Sequence, residues 1–527
     1  MNRSAIHSWI YFGLLALLVI AMPTSNFLMS MAQVLLMVNW IVEGKWCVKL
    51  IKARRQPILW AFVAFFFIHL LWCLFSYNWD YALDDLRKKM PLLIVPLLVL
   101  TSDSLSQKSI DGLLVIYCCT LLFVSSYSWI NHLINPDIAY RSLFPFISHI
   151  RLALNTCMVI FILLYYIDYV RTKATLCGNR KKICIFMLVL FIGWFIGYLL
   201  LLQSYTGFIA LFTALVVVMF FQLKRMADKL YLFIYFGGLV VVLIGLVLII
   251  GYYANAYHKL KPLSTLPLKE TTVNGNAYIH HQDGFVECGN YINNYICYNE
   301  LDEEWRKISN KPLDYITHNG YPIEPTLIRY LNSKGLTKDS VGVKALTNYD
   351  IQAIEDGKAT YYEAYGTIVE QMIYRMLFEC ENYKVYGGVK NFSMLQRIEL
   401  WKNACEIISQ NAWLGVGTGD VADEIRNNLI KNNSELKDSN MRTHNQYLTL
   451  LLTFGLVGTS IIILLFINAV RKEKLFDSLL FMAYFCVVMV SFISEDTLET
   501  AAGCLFFTLF FALFVTRKQT NSATNTF

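Results

Sequence analysis

Between Gln396 and Gly458 the chain gathers residue types that handle anions and protons. Arg397 and Trp401 fall in Gln396-Arg397-Ile398-Glu399-Leu400-Trp401. Gly415, Gly417 and Gly419 follow, then Arg442-Thr443-His444-Asn445, then an apolar run from Tyr447 that holds Gly455 and Gly458. A guanidinium presents a rigid fork of donors that matches phosphate oxygens. Histidine changes charge near neutral pH and is a natural general base. Closely spaced glycines let a backbone turn sharply and bring its amides up to a ligand. Each feature also has a plainer explanation. Arg397 can pair with Glu399 or Glu406 on a helix surface; His444, with Asn445 and Thr443, can cap the helix that follows; the glycines can simply end a helix. They are neither a Walker nor a dinucleotide fingerprint, because no Lys-Ser follows and no strand pattern precedes them. The arginine, the glycine turn and the histidine meet where polar sequence gives way to an apolar helix. That is a suitable place for a substrate with a charged head and an apolar tail.

The elements that must position these residues are membrane helices. Of 527 residues, 56% are hydrophobic and only 16% charged, against about 25% charged in a soluble protein. Apolar runs of membrane-crossing length recur at 8–22, 24–43, 57–76, 90–101, 110–131, 150–170, 183–203, 205–222, 230–252, 444–467, 477–494 and 500–516. The fold class is therefore an all-α polytopic membrane protein with about twelve transmembrane helices. The fourth run is short and contains Pro91 and Pro96, so a broken or half-inserted segment is expected there. The first run follows an early Arg3, lacks a small-residue cleavage pattern and reads as a retained span. The 13 cysteines lie mostly inside apolar runs, where they act as small hydrophobes.

Basic residues orient the chain. Lys49, Lys52, Arg54 and Arg55, then Arg171, Lys173 and Arg180 to Lys182, then Lys224, Arg225 and Lys229, then Arg471, Lys472 and Lys474, and finally Arg517 and Lys518 all fall on one side. That side is the cytoplasm if both termini are cytoplasmic. The net charge of +7 thus reports topology rather than nucleic-acid binding. Residues 1–252 read as about nine spans, 253–443 as one large outer (periplasmic) loop, 444–518 as about three further spans and 519–527 as a cytoplasmic tail. Arg87-Lys88-Lys89 and Arg151 violate the pattern, since they fall on the outer side.

The outer loop is too long for a simple connection and is expected to fold as a mixed α/β domain. Tyr278 to Tyr298 suggests a hairpin; Pro325 to Leu331, Val341 to Gly357 and Tyr361 to Glu381 suggest helices. Arg329 is expected to snorkel on a helix surface. Cys288 and Cys297 either pair across the hairpin or remain two thiols, according to strand register. Ile398, Trp401, Ala404, Cys405 and Ile408 form one face of a helix from Gln396 to Ser409. Glu495, Asp496 and Glu499 make an acidic turn that either orients His444 or is simply solvated. No carboxylate cluster has metal-ligand spacing, so neither a metal nor another cofactor is expected.

The order R-x-x-x-W, G-x-G-x-G, H-N-x-x-L and G-x-x-G, set before a membrane helix, resembles the C-terminal signature of the O-antigen ligase and O-antigen polymerase family. The resemblance implies a GT-C-like membrane glycosyltransferase in the bacterial inner membrane, its active site periplasmic. Its donor would be a glycan on undecaprenyl diphosphate, its acceptor lipid A–core for a ligase. A repeat-unit polymerase or a protein O-glycosylating ligase would use the same donor. It implies His444 as the base and Arg397 as a diphosphate ligand, with Trp401, Gly417 and Asn445 beside them. Members commonly carry Ser-Arg at an outer turn where this chain has Ser204-Tyr205. Arg151, at the outer end of a neighbouring span, is the expected replacement for the arginine missing at Tyr205, with Arg87-Lys88-Lys89 behind it. A reading from another class, a transporter or flippase, predicts internal repeats and broken midplane helices, and the sequence shows no such repeat.

Overall fold

The computed structural model describes residues 3–103, 105–134, 143–172, 178–225, 229–258, 268–282, 285–317, 320–386, 389–390, 392–439 and 441–524. The chain is mostly helical. Among the described residues ten helices are long and apolar enough to cross a membrane: Ala5–Thr24, Asn26–Glu43, Pro57–Phe75, Gln107–Ile134, His149–Thr172, Gly178–Leu201, Tyr205–Arg225, Ile234–Asn255, Gln446–Lys472 and Ala501–Thr520. The two remaining runs differ for physical reasons. Leu479–Ser494 is apolar but only 16 residues long. Residues 90–101 are the second half of a continuous helix, Trp79–Thr101, whose first half carries six charged side chains. That helix is not broken at Pro91 or Pro96. It packs between Pro57–Trp72 and the helix that starts at Ala501, and this packing holds the turns where a proline removes a hydrogen bond.

The chain divides into two compact units. One comprises residues 1–130, 144–228 and 397–527. In its core Leu479–Ser494 lies against Tyr205–Arg225 and His149–Thr172, and Ala501–Thr524 lies against Trp79–Thr101. Phe62, Phe466, Phe507, Phe511 and Tyr484 supply edge-to-face aromatic contacts to it. The Gln446–Lys472 helix is interrupted at Gly455, which has φ 61° and ψ −167°. The break frees backbone groups that hydrocarbon cannot satisfy. The glycine turn satisfies them: Leu456 N donates to Ala412 O (2.8 Å), Val457 N to Trp413 O (3.1 Å), Val416 N to Leu452 O (2.9 Å) and Gly417 N to Thr453 O (3.1 Å).

The other unit comprises residues 131–143 and 229–396. It begins with the apolar helix Lys229–His258 and continues into a polar insert of short helices. The insert is built on Leu301, Trp305, Leu327, Tyr330 and Ile354. Its hairpin is small: Val286–Glu287 pairs antiparallel with Asn290–Tyr291. That register puts Cys288 in the turn and leaves Cys297 beyond the strand, capping helix Tyr298–Ile308. Both are buried free thiols, so the pairing alternative is not realised. The helix expected over 341–357 is two, Ser340–Lys344 and Asn348–Glu355, because Thr347 and Asp350 form a capping box that starts a new helix. The one expected over 361–381 also divides, into Tyr361–Tyr365 and Ile368–Tyr386, at Gly366. Arg329 does not snorkel: its fork grips Glu287, a fully buried carboxylate, at 2.9–3.2 Å.

Candidate active site

The acidic turn after Leu479–Ser494 organises the site, and it is buried rather than solvated. Asp496 and Glu499 are each only 8% exposed. Every carboxylate in it is held by a group from elsewhere in the chain. Glu495 Oε1 accepts from Arg397 Nη2 at 2.6 Å. Asp496 Oδ2 accepts the His444 backbone N–H at 2.7 Å, and its Oδ1 accepts from Thr449 Oγ1 (2.7 Å), Thr443 Oγ1 (3.0 Å) and Asn445 N (3.2 Å). Glu499 Oε2 accepts from Lys89 Nζ (2.8 Å) and Arg442 Nη1 (2.9 Å), and its Oε1 from Gln446 Nε2 (3.1 Å). Burial by itself would raise the Glu499 carboxyl; Lys89 and Arg442 outweigh it and hold the group well below the usual carboxylate range. Burial likewise pulls Arg442 down, and Glu499 more than compensates.

His444 gains its geometry from these contacts. Its φ of 50° lies in the left-handed region, where a non-glycine residue needs support. Asp496 supplies that support through the backbone amide. The cap of Gln446–Lys472 is Asn445, whose Oδ1 accepts from Tyr447 N (3.0 Å) and Leu448 N (3.1 Å). His444 is therefore not the cap, and its imidazole is half-buried and makes no hydrogen bond to any described residue.

The imidazole lines a cavity of about 780 Å³ together with Lys88, Arg151, Arg442, Glu495, Asp496 and Glu499 among others. Arg151 reaches Thr500 Oγ1 through Nη2 at 3.1 Å, and its Nη1 is buried against Gly503 without a hydrogen-bond partner among the described residues. Arg397 reaches this cavity through Glu495. A second cavity of about 630 Å³ is almost wholly apolar and runs among Tyr447, Leu450, Ile463, Phe466, Met489 and Phe492. Its wall includes Leu498, between Asp496 and Glu499.

Several expected residues stand elsewhere. The Gly417 amide is spent on Thr453 O, and Cβ atoms at Gly415 or Gly417 would fall 2.5–2.7 Å from neighbouring atoms. The glycine turn is thus a packing device that plugs the break at Gly455, not an anion cradle. Asp420 accepts from the amides of Tyr77 and Asn78 and ties the same turn to the start of Trp79–Thr101. Trp401 does not line the cavity; its indole N–H is buried without a partner among the described residues. The buried face of helix Ser393–Gln410 is Leu400, Asn403, Ala404 and Ile407, one step round from the stripe through Ile398, Cys405 and Ile408, because Ile398 and Cys405 are exposed. Tyr205 is 47% exposed and not part of the cavity lining. Its neighbour Thr206 bonds Ser494 beside Glu495 at 2.7 Å.

Sequence reasoning missed the Lys89 network. Lys89 is 2% exposed and also binds Asp85 at 2.6 Å. The signal was present as an Asp85/Lys89 pair four residues apart whose lysine breaks the basic-loop pattern. Lys88, paired with Asp84 at 2.5 Å, faces the cavity, whereas Arg87 is exposed.

A charged cavity lined by Lys88, Arg151 and Arg442 and by Glu495, Asp496 and Glu499, set beside apolar, membrane-length helices, defines an integral membrane protein with a buried polar site. A family model described as Wzy_C, O-antigen ligase, matches residues 357–463 of the chain. The matched segment holds Arg397, Trp401, the glycine turn and His444–Leu448, but not Arg151, Tyr205 or the acidic turn. No curated protein matches the chain.

Proposed function

We propose that this protein is a membrane glycosyltransferase that moves a glycan from undecaprenyl diphosphate to an acceptor hydroxyl, as an O-antigen ligase acting on lipid A–core at the periplasmic face of the inner membrane. The observation that carries the reading is the imidazole of His444, which makes no hydrogen bond to any described residue, in a cavity lined by Arg151, Arg442 and Lys88 with Glu495, Asp496 and Glu499, and Arg397 held at its edge. In the proposed reaction His444 takes the proton of the acceptor hydroxyl as that oxygen attacks the anomeric carbon. The bond from that carbon to the diphosphate oxygen breaks, and the lipid diphosphate leaves with the electron pair. Displacement from the opposite face inverts the anomeric centre. Charge builds on the leaving diphosphate, and preorganised cations aimed at such charge lower the barrier. Arg397 would exchange Glu495 for phosphate oxygens, and Arg151 and Arg442 would add positive charge to the cavity lining. Protein cations meet the need for positive charge, so the mechanism is proposed as metal-independent. The neighbouring apolar cavity suits the start of the polyprenyl chain.

The basic-loop pattern, with both termini cytoplasmic, supports a periplasmic opening. A repeat-unit polymerase or a protein-glycosylating ligase shares this chemistry and differs only in the acceptor. The test is transfer by purified protein in detergent, given lipid-linked glycan and either lipid A–core, a second lipid-linked glycan or an acceptor protein. Product on lipid A–core alone supports ligation. Product on a lipid-linked glycan replaces it with polymerisation, and donor turnover with no acceptor, or none at all, overturns the reading.

A further inference from the structure

A pocket of about 460 Å³ lies within the polar insert, lined by Tyr321, Pro325, Thr326, Arg329, Gly357, Ala359 and Glu363. Its volume is in the range of small-molecule sites, about 300–1,000 Å³. Two of its charged groups are mounted rigidly. Arg329 is fixed through Nε and Nη2 to Glu287 and lies over the Phe378 ring at 4.7 Å. Its Nη1 makes no hydrogen bond to any described residue, and its side chain is 31% exposed. Glu363 is pinned through Oε2 by the Ala359 amide at 2.7 Å. Tyr321 is 68% exposed and stacks on no other ring among the described residues.

We propose that this pocket binds a neutral sugar residue, with Arg329 and Glu363 holding adjacent hydroxyls and the Tyr321 ring covering the apolar face of the pyranose. The charge balance selects the class. Arg329 is already neutralised by Glu287, and Glu363 adds a negative charge, so nothing in the lining favours an anion. A fixed donor beside a fixed acceptor is what a pair of hydroxyls satisfies, since each can donate and accept. The aromatic body supplies apolar area at low entropic cost, as in other recognition surfaces. The site is separate from the cavity at His444 and does not depend on the reaction proposed for it.

The test is saturation-transfer NMR on the full-length protein in detergent, with glucose, galactose and N-acetylglucosamine as probes and glucuronate as the anionic comparison. The neutral sugars should receive saturation and compete with one another. Tyr321→Ala and Glu363→Gln should each weaken binding about tenfold or more, the scale of one lost charged hydrogen bond or anchor. Tyr321 is exposed and Gln can still accept from the Ala359 amide, so both variants should fold; if Glu363→Gln does not, Tyr321→Ala carries the test alone. Absence of transfer to every neutral sugar, transfer unchanged in the folded variants, or stronger transfer to glucuronate would each overturn the assignment.

Discussion

Replacing His444 by asparagine separates what its backbone does from what its imidazole does. The backbone contribution is visible: φ is 50°, and Asp496 holds the amide at 2.7 Å. A side chain in the left-handed region costs roughly 1–2 kcal/mol, and asparagine is among the residues that tolerate it best. The helix cap is Asn445, so no cap is lost. His444→Asn should therefore fold with a thermal midpoint at or slightly above that of the unaltered protein. His444→Ala should be somewhat less stable. The imidazole contribution is chemical. General-base assistance is worth about 10²–10⁴-fold, which is about 3–5 kcal/mol of barrier at 1.36 kcal/mol per decade. Both variants should lose turnover by that factor while binding lipid-linked donor normally, because Arg397 and Arg151 are untouched. The assay is single-turnover transfer in detergent, with donor binding and thermal unfolding measured on the same preparations. An asparagine variant that keeps more than about a tenth of the rate, with donor binding intact, removes the base role and leaves only positioning by the arginines.

The remaining predictions concern the groups around it. Arg397→Lys should lose donor affinity because a single ammonium cannot replace the fork. Glu495→Gln should instead tighten donor binding a few-fold, since it removes the carboxylate now holding Arg397 at 2.6 Å; weaker binding there would show that Glu495 positions Arg397 rather than competes for it. Lys89→Met should lower stability by about 3–5 kcal/mol in thermal or denaturant unfolding, because Asp85 would be left buried without its cation and Glu499 would keep only Arg442 as its cation; unchanged stability would mean water reaches them. Gly455→Ala should destabilise the protein and reduce membrane expression, since its φ is 61° and a Cβ would lie 2.3 Å from Trp413 O; expression and melting equal to the unaltered protein would refute the plug. Cysteine labels introduced at Lys181 and Asn310 should react from opposite sides of the membrane, and reaction from one side would sink the proposed orientation.

Hydropathy alone determined most of the membrane architecture. Burial in hydrocarbon demands long apolar helices whatever the tertiary arrangement, so the runs from Ala5–Thr24 to Ala501–Thr520 were legible one by one. The segment Gln396–Gly458 was also legible as the place where arginine, glycine and histidine cluster. The sequence could not say which of those residues share a cavity. His444 and Arg442 share the cavity with Arg151 and Lys88, which come from two other stretches of chain, and the buried turn Glu495–Glu499 ties Arg397, Lys89, Arg442 and the His444 amide to it through its three carboxylates. Three acidic residues in a five-residue turn at a helix end read just as readily as a solvated turn, and only packing against Lys89, Arg442 and Arg397 makes them a hub. Gly417 shows the converse. A G-x-G-x-G run advertises an anion site by composition, but the partner of its amide, Thr453 O, exists only because a membrane helix breaks at Gly455. Local chemistry set which groups were available, and the long-range satisfaction of buried charges and backbone hydrogen bonds decided which of them were left free to meet a substrate.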